Sequence, residues 1–136
     1  MLHVDHFSST VTEKGRSKLV EEPLSKTVEV EEALLVLTSV ERQDEAHPEA
    51  VSSSAVDEVS KLSNQLKTDM VILHPFAHLF AEMSDPETAL KVMKLTEEGL
   101  RQRGFKVIRT PFGWFNTLDL RAKGHPLSRV ARTIST

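Results

Sequence analysis

Residues 48–66 carry a single apolar stripe, which predicts a helix that has to bury one face against another element. The apolar side chains recur at spacings of four, four, three and four, and they are Val51, Ala55, Val59, Leu62 and Leu66. Pro48 suits the first turn of this helix, where its missing N–H costs no hydrogen bond. A second helix is predicted from the capping-box pair Ser84 and Glu87 to Gly104. Two helices of this kind require a sheet to cover their apolar faces.

Short apolar or alternating runs around these helices predict the strands of that sheet. The predicted strands are residues 2–12, 28–40, 70–73, 106–109 and 115–122, which gives the order β, β, α, β, α, β, β. The continuously apolar run 33–37 is typical of a strand that is covered on both faces. We therefore predict one domain over residues 1–136, an α/β fold in which a mixed β-sheet packs with two amphipathic helices in two or three layers.

The composition narrows the classes of function without choosing one. The 136 residues include no cysteine, which excludes a disulfide framework, a thiolate metal site and a cysteine nucleophile. The net charge of −3 argues against a protein that grips long stretches of nucleic acid, although it leaves contact with an RNA end open. The sequence shows neither a membrane-spanning run nor a signal peptide, and a cytoplasmic location is the simplest interpretation.

The stretch HPFAHLF, from His74 to Phe80, follows a short apolar strand and indicates the floor of a pocket, since a plain turn would use Gly, Asn, Asp or Ser. A metal site on His74 and His78 is disfavoured because Pro75 directly follows the first histidine and no glutamate lies between the two. The sequence has neither the G-x-S-x-G turn of a hydrolase nucleophile nor a glycine-rich phosphate loop. We predict no metal and no cofactor, and the residues alone leave the reaction open.

Four segments of the chain together carry a family resemblance. They are LLVLTSVE (34–41), HPFAHL (74–79), RTPFGWFN (109–116) and KGHPLSRVARTI (123–134). In this order they resemble the N-terminal editing domain of archaeal threonyl-tRNA synthetases, whose fold is similar to that of D-aminoacyl-tRNA deacylase. The resemblance implies a homodimer that hydrolyses L-serine wrongly attached to threonine tRNA. It also implies two further partners, the 3′ end of that tRNA carrying serine and the catalytic body of a synthetase.

The same resemblance implies which residues bind the substrate. Backbone groups of Thr38, Ser39 and Val40 would contact the terminal adenosine. The aminoacyl group would be enclosed by residues from two segments, namely Pro75, Phe76, Ala77, His78, Phe112, Gly113 and Phe115. Arg129 would be a further substrate contact, at a position where relatives commonly have glutamate.

Two residues, His78 and Asn116, are the catalytic candidates that the resemblance implies. Relatives commonly have lysine where this chain has Asn116, and an amide is neither a cation nor a usable base near neutral pH. We expect His78 mainly to position the substrate. The 2′-hydroxyl of the terminal ribose, a neighbour of the ester, would then help to activate the attacking water, and the rate would come from proximity and preorganised dipoles.

A size argument supports the need for such an activity. Serine lacks one methyl of threonine, and a contact of that size is worth only about 1–3 kcal/mol, so a synthetic site cannot reject serine well enough. A second pocket with rigid walls, such as Ala77 and Phe112 would provide, can admit serine and exclude the extra methyl. Two alternatives stay open: a non-catalytic dimerisation or RNA-docking appendage of a synthetase, and a D-aminoacyl-tRNA deacylase.

Overall fold

The computed structural model describes residues 1–77 and 82–135, which form six strands, two α-helices and a short 3-10 helix. The elements are β1 (Leu2–Lys14), β2 (Thr27–Val30), β3 (Ala33–Thr38), a short 3-10 helix (Arg42–Ala46), α1 (Pro48–Leu66), β4 (Met70–Pro75), α2 (Pro86–Gln102), β5 (Lys106–Arg109) and β6 (Trp114–Ala122). This mixed α/β architecture confirms the predicted fold class. Within the described ranges, no helix has the length and apolar character that crossing a membrane requires.

The sheet combines antiparallel and parallel pairing around β1 and β3. One edge of β1 pairs antiparallel with β2 and β3, and its other edge pairs antiparallel with β6. β3 pairs in parallel with β4, and β4 in parallel with β5, with one helix in each crossover. The carboxyl ends of β3, β4 and β5 therefore meet at the same edge of the sheet.

The single strand predicted over residues 28–40 is divided into β2 and β3 in the structure. Phe7 of β1 lies opposite Val30, and Val4 lies opposite Ala33, so the pairing with β1 continues without a register shift across the break. Two exposed glutamates at 31 and 32 occupy the interruption. Glutamate is depleted in strands, which accounts for a local loss of pairing at this position.

β1 has to bend strongly for the chain to connect β5 to β6. A straight strand of 13 residues is about 43 Å long, and β5 ends level with the start of β1 while β6 begins beside its far end. The connection from Arg109 to Trp114 reaches at most about 18 Å. Register shifts after Val4 and after Val11 supply the bends, as β-bulges do. The ribbon of β1 and β6 thus curls over one face of the sheet.

Different elements bury the two faces of the sheet. On one face, both helices pack on the strands in a core that includes Leu34, Val36, Val59, Leu62, Val71, Leu73, Met93 and Leu100. On the other face, the curled sheet encloses a second core of Val4, Phe7, Val30, Ala33, Leu35 and Ile72, with Leu120 of β6 packed against it. Alternate residues of β3 belong to the two cores, which confirms that this apolar run is covered on both faces.

The predicted ends of the helices are right with one exception. α1 begins at Pro48, and Gly104, with a φ of +92°, follows the end of α2. The capping box of Ser84 and Glu87 is wrong: Asp85 caps α2, and its carboxylate accepts a hydrogen bond from the Thr88 N–H at 2.7 Å. The helix begins one residue later than the box requires because a proline occupies its first position.

Candidate active site

The carboxyl ends of the parallel strands bring three of the predicted site segments to one edge of the sheet. The Phe76 N–H donates to the Thr38 carbonyl at 2.8 Å, which joins the segment after β4 to the end of β3. The Thr110 N–H donates to the Leu73 carbonyl at 3.0 Å and joins the segment after β5 to β4. Open α/β sheets bind their ligands outside the carboxyl ends of such strands. This edge is therefore the candidate site.

A cleft of about 390 Å³ opens between this edge, the two helices and residues 131–134. Thr38, Ser39 and Val40, which the family resemblance assigns to contact with the adenosine, are among the residues that line it. The Ser39 hydroxyl is shielded from solvent and has no hydrogen-bond partner among the described residues. Apolar side chains from β3, β4, α1 and α2 form most of the remaining wall, together with an ion pair between Glu58 and Arg132 at 3.5 Å. Cavities of a few hundred Å³ are the usual size for small-molecule sites.

Pro75, Phe76 and Ala77 continue from the end of β4 beside this cleft. Pro75 pairs with Thr38, and both Pro75 and Phe76 are half-buried, whereas Ala77 is exposed. None of the three is among the described residues that line the cleft. His78, which is also predicted to line the aminoacyl pocket, lies outside the described residues. The structure thus places the start of the HPFAHLF stretch next to the cleft.

Phe112 and Gly113 lie on the turn between β5 and β6, which is held by residues 15–21 of the connection between β1 and β2. The Glu21 carboxylate accepts from the Phe112 N–H at 3.0 Å, and the Glu21 N–H donates to the Phe112 carbonyl at 2.9 Å. Gly113 has a φ of +91°, and a Cβ there would lie 2.6 Å from the Leu19 carbonyl oxygen. This position therefore requires glycine. The half-buried Phe112 packs against the helix-side core.

Arg109 connects this turn to α2 through two carboxylates. Its guanidinium forms a bidentate pair with Glu21 and donates to Glu97 at 3.0 Å. Burial works against ionisation of Glu21, but hydrogen bonds from Arg109 and from the Phe112 N–H outweigh it and hold the pKa of Glu21 below its ordinary value. Burial likewise opposes the charge of Arg109, while the two carboxylates raise its pKa. Sequence reasoning missed this cluster because Glu21 precedes Arg109 by 88 residues and carries no motif.

Two of the remaining predicted site residues, Phe115 and Asn116, do not lie around the cleft, whereas Arg129 lies near it. Phe115 of β6 is 55% exposed. The half-buried Asn116 donates its side-chain amide to the Trp114 carbonyl at 3.3 Å. Arg129 is exposed and bridges to Leu2, which does line the cleft. Arg129 is therefore near the cleft, whereas Phe115 and Asn116 are not among the described residues around it.

His74, the first residue of the HPFAHLF stretch, is a buried histidine that joins two elements. It is 2% exposed, and its Nδ1 lies 2.7 Å from the Thr110 hydroxyl oxygen. The ring of Phe7 packs edge-on against it, with 6.1 Å between the ring centroids. Burial lowers the pKa of His74 from 6.5 to about 4, so the imidazole is neutral at pH 7. This environment favours a structural role for His74.

The buried His74 predicts a specific loss of stability in mild acid. The unfolded chain binds a proton at this side chain below about pH 6.5, while the folded chain resists it until about pH 4. The free energy of unfolding is therefore expected to fall by up to about 3 kcal/mol as the pH drops through this window, at 1.36 kcal/mol per unit. Urea unfolding between pH 7 and 4.5 measures the slope. His74→Asn should flatten it, whereas the exposed-histidine control His47→Gln should not; an unchanged slope in His74→Asn would contradict the assignment.

Taken together, these observations define an α/β domain with a candidate site outside the carboxyl ends of its parallel strands. Across residues 1–77 and 82–135, no group of three or more His, Asp or Glu side chains is placed to hold a metal ion. The chain matches, over residues 1–134, the archaea-specific editing domain of threonyl-tRNA synthetase, and it belongs to that family. The family resemblance drawn from the four sequence segments is confirmed.

Curated relatives agree with this assignment. The chain is 40% identical to a threonine–tRNA ligase of Methanocaldococcus jannaschii over 134 residues, which are 98% of this chain and 21% of the relative. It is 39% identical to the threonine–tRNA ligase of Methanopyrus kandleri, with the same coverage. For the ligase of Thermococcus kodakarensis the identity is also 39%, over 98% of this chain and 22% of the relative. The chain thus spans about a fifth of the length of these relatives.

Proposed function

We propose that this domain hydrolyses the ester of L-serine wrongly attached to threonine tRNA and spares the L-threonyl ester. The observation that carries the proposal is the hydrogen bond from the Phe76 N–H to the Thr38 carbonyl, because it joins the two segments expected to hold the aminoacyl group and the adenosine. The 390 Å³ cleft beside this bond has room for part of a nucleoside. Residues 1–136 would act as one editing domain.

In this proposal, the terminal adenosine binds along residues 38–40. The bases of single-stranded RNA ends are bound by stacking and by edge hydrogen bonds, which backbone groups provide. Ser39 offers a hydroxyl whose hydrogen-bonding capacity is not used by the described residues. A buried polar group without a partner has a free-energy cost that a bound ligand would relieve. Arg129, exposed at the bridge to Leu2, would supply a cation near the phosphates.

The aminoacyl group would lie between Ala77 and the Phe112 turn, with His78 as a positioning residue. Serine and threonine differ by one methyl, so a wall that cannot yield excludes threonine by overlap. The hydrogen bonds that hold Phe112 to Glu21 support a wall of this kind. Pro75, with its fixed backbone angle, and the half-buried Phe76 stiffen the opposite side.

Catalysis would rely on the substrate more than on a side-chain base. Asn116 is an amide, and its side chain bonds to the Trp114 carbonyl. His74 is buried against Thr110 and its pKa is lowered to about 4, so it is poorly placed and too weak a base to take a proton from the attacking water. The 2′-hydroxyl of the terminal ribose lies next to the 3′ ester by covalent geometry, so it can orient the attacking water and accept a proton from it while passing its own proton to the departing 3′ oxygen, without any entropic cost of bringing a separate group there. The products are serine and a free 3′-hydroxyl.

The partners that follow from this proposal are the 3′ end of threonine tRNA, a second copy of the chain and the catalytic body of a threonyl-tRNA synthetase. A net charge of −3 fits a domain that handles only the RNA end while another module supplies most of the affinity. A cytoplasmic location accords with such a role.

A deacylation assay with three esters tests the function directly. L-seryl, L-threonyl and D-aminoacyl esters of threonine tRNA are each mixed with excess protein, and the release of amino acid is followed in a single turnover. We expect the seryl ester to be cleaved at least about a hundredfold faster than the threonyl ester, as a size sieve allows. Faster cleavage of the D-aminoacyl ester would identify a D-aminoacyl-tRNA deacylase instead, and equal seryl and threonyl rates would refute the proposal.

A second candidate, a non-catalytic appendage for dimerisation or RNA docking, is favoured by the identities of Asn116 and Arg129. Both differ from the lysine and glutamate that the family resemblance leads one to expect. Binding of an amide-linked seryl-adenosine without hydrolysis of the corresponding ester, by protein shown to be folded, would support this candidate over the enzyme.

A further inference from the structure

The connection between β1 and β2 wraps around the turn that carries Phe112. The Gly15 N–H donates to the Gly113 carbonyl at 2.7 Å, and the indole N–H of Trp114 donates to the Glu21 carbonyl at 2.6 Å. These bonds add to the pair that joins the Glu21 carboxylate and N–H to the backbone of Phe112. Each residue of the turn from 112 to 114 is thus bonded to the segment 15–21.

Glu21 contributes both its backbone and its carboxylate to this arrangement. Its carboxylate binds the Phe112 N–H and the guanidinium of Arg109 at once, and its side chain is only 20% exposed, compared with 13% for Arg109. Glu97 of α2 holds the same guanidinium from the other side. Bidentate pairs of this kind fix direction as well as distance. Glu21 and Arg109 therefore link the backbone of Phe112 to β5 and to α2.

We propose that Glu21 is a positioning residue that fixes the Phe112 wall of the aminoacyl pocket and thereby determines the discrimination between seryl and threonyl esters. This inference rests on the proposed function. Without the carboxylate, the turn loses a backbone hydrogen bond and an ion pair on the same side, so it can move away from the pocket. A wall that moves admits the extra methyl of threonine while still holding serine. Replacing Glu21 should therefore change the seryl-to-threonyl rate ratio more than it changes the seryl rate.

The test compares Glu21→Gln with Glu22→Gln in the full chain. Glutamine keeps the shape of the side chain but presents an NH₂ group to Arg109, which has only donors. Single-turnover rates on seryl and threonyl esters of threonine tRNA are measured at a temperature where both variants are folded. We expect the seryl-to-threonyl rate ratio to fall about tenfold in Glu21→Gln, mainly through faster threonyl cleavage, since small displacements at a site have effects of this size. The exposed neighbour, in Glu22→Gln, should leave the ratio unchanged.

Two further variants keep the proposal testable if Glu21→Gln does not fold. Glu21→Asp keeps the charge but withdraws the carboxylate by one methylene, and we expect the ratio to fall by less than about tenfold. Trp114→Phe removes the indole hydrogen bond to the Glu21 carbonyl and keeps an aromatic ring, and we expect a smaller fall in the same direction. Equal loss of both rates in the folded variants, or an unchanged ratio in all of them, would overturn the role of Glu21. If the unmodified chain cleaves neither ester, the proposed function itself is wrong, and this inference is refuted with it.

Discussion

Replacing the 2′-hydroxyl of the terminal adenosine by hydrogen is expected to slow the release of serine by at least about a thousandfold. The reason is that neither Asn116 nor His74 can serve as the base: Asn116 is an amide, and His74 is buried and bonded to Thr110. A hydroxyl attached to the neighbouring carbon acts at a very high effective concentration, and its loss removes that advantage. The measurement is a single-turnover deacylation of seryl-tRNA that ends in 2′-deoxyadenosine, compared with the normal substrate.

The matched comparison is Asn116→Ala on the normal substrate. We expect this variant to lose less than about tenfold, because a positioning contact of a neutral amide contributes about 1 kcal/mol. Binding of the deoxy substrate should be nearly unchanged, which separates a chemical defect from a failure to bind. The reverse ranking, with Asn116→Ala the more damaging change, would mean that a protein side chain carries the chemistry.

Filling the space at Ala77 is expected to have the second largest effect. Ala77→Leu adds three carbons where the proposal puts the serine side chain, so we expect seryl cleavage to fall by at least about a hundredfold through direct overlap with the substrate. Ala77 is exposed, so the free energy of unfolding should change by less than about 0.5 kcal/mol. Deacylation rates and urea unfolding on the same preparations measure both quantities.

The control for this change is Ala50→Leu, which makes the same substitution at an exposed position of α1. Leucine and alanine are both good helix formers, so the control should keep its stability and its seryl rate. A hundredfold loss in Ala77→Leu alone would assign the effect to the pocket. Equal rates in the two variants would place the aminoacyl group elsewhere.

Local patterns predicted the fold class because the helices and the parallel strands have strong periodic signals. The stripe of α1 predicts one buried face, and the apolar run in β3 predicts two. The structure confirms both predictions. The predicted cap of α2 was wrong by one residue. The proline that follows Asp85 takes the first helical position, so Asp85 and not Ser84 is the N-cap. The curl of β1 was not predictable. It follows from the short connection between β5 and β6 and from β-bulges whose positions no residue type predicts.

The candidate site likewise has one part that the sequence predicts and another that it does not. The segments after β3, β4 and β5 come together because parallel strands end at one edge, so their proximity follows once the strands are placed. The residues that hold these segments in place could not be predicted from the sequence. Glu21 reaches Arg109 and Phe112 across 88 or more residues, in a connection whose charged composition looks like that of any surface loop. Contacts of this kind depend on the curl of the sheet, which brings the β1–β2 connection to the turn.

The most direct test of the account is the selectivity of Ala77→Gly. This change removes one methyl from the proposed wall of the aminoacyl pocket, the same group by which threonine exceeds serine. If a rigid cavity at Ala77 separates the two amino acids by size, threonyl cleavage should rise by about tenfold or more while seryl cleavage stays within about twofold, since one methyl accounts for about 1–3 kcal/mol. An unchanged seryl-to-threonyl ratio in folded Ala77→Gly, measured beside the unmodified chain, would contradict the account.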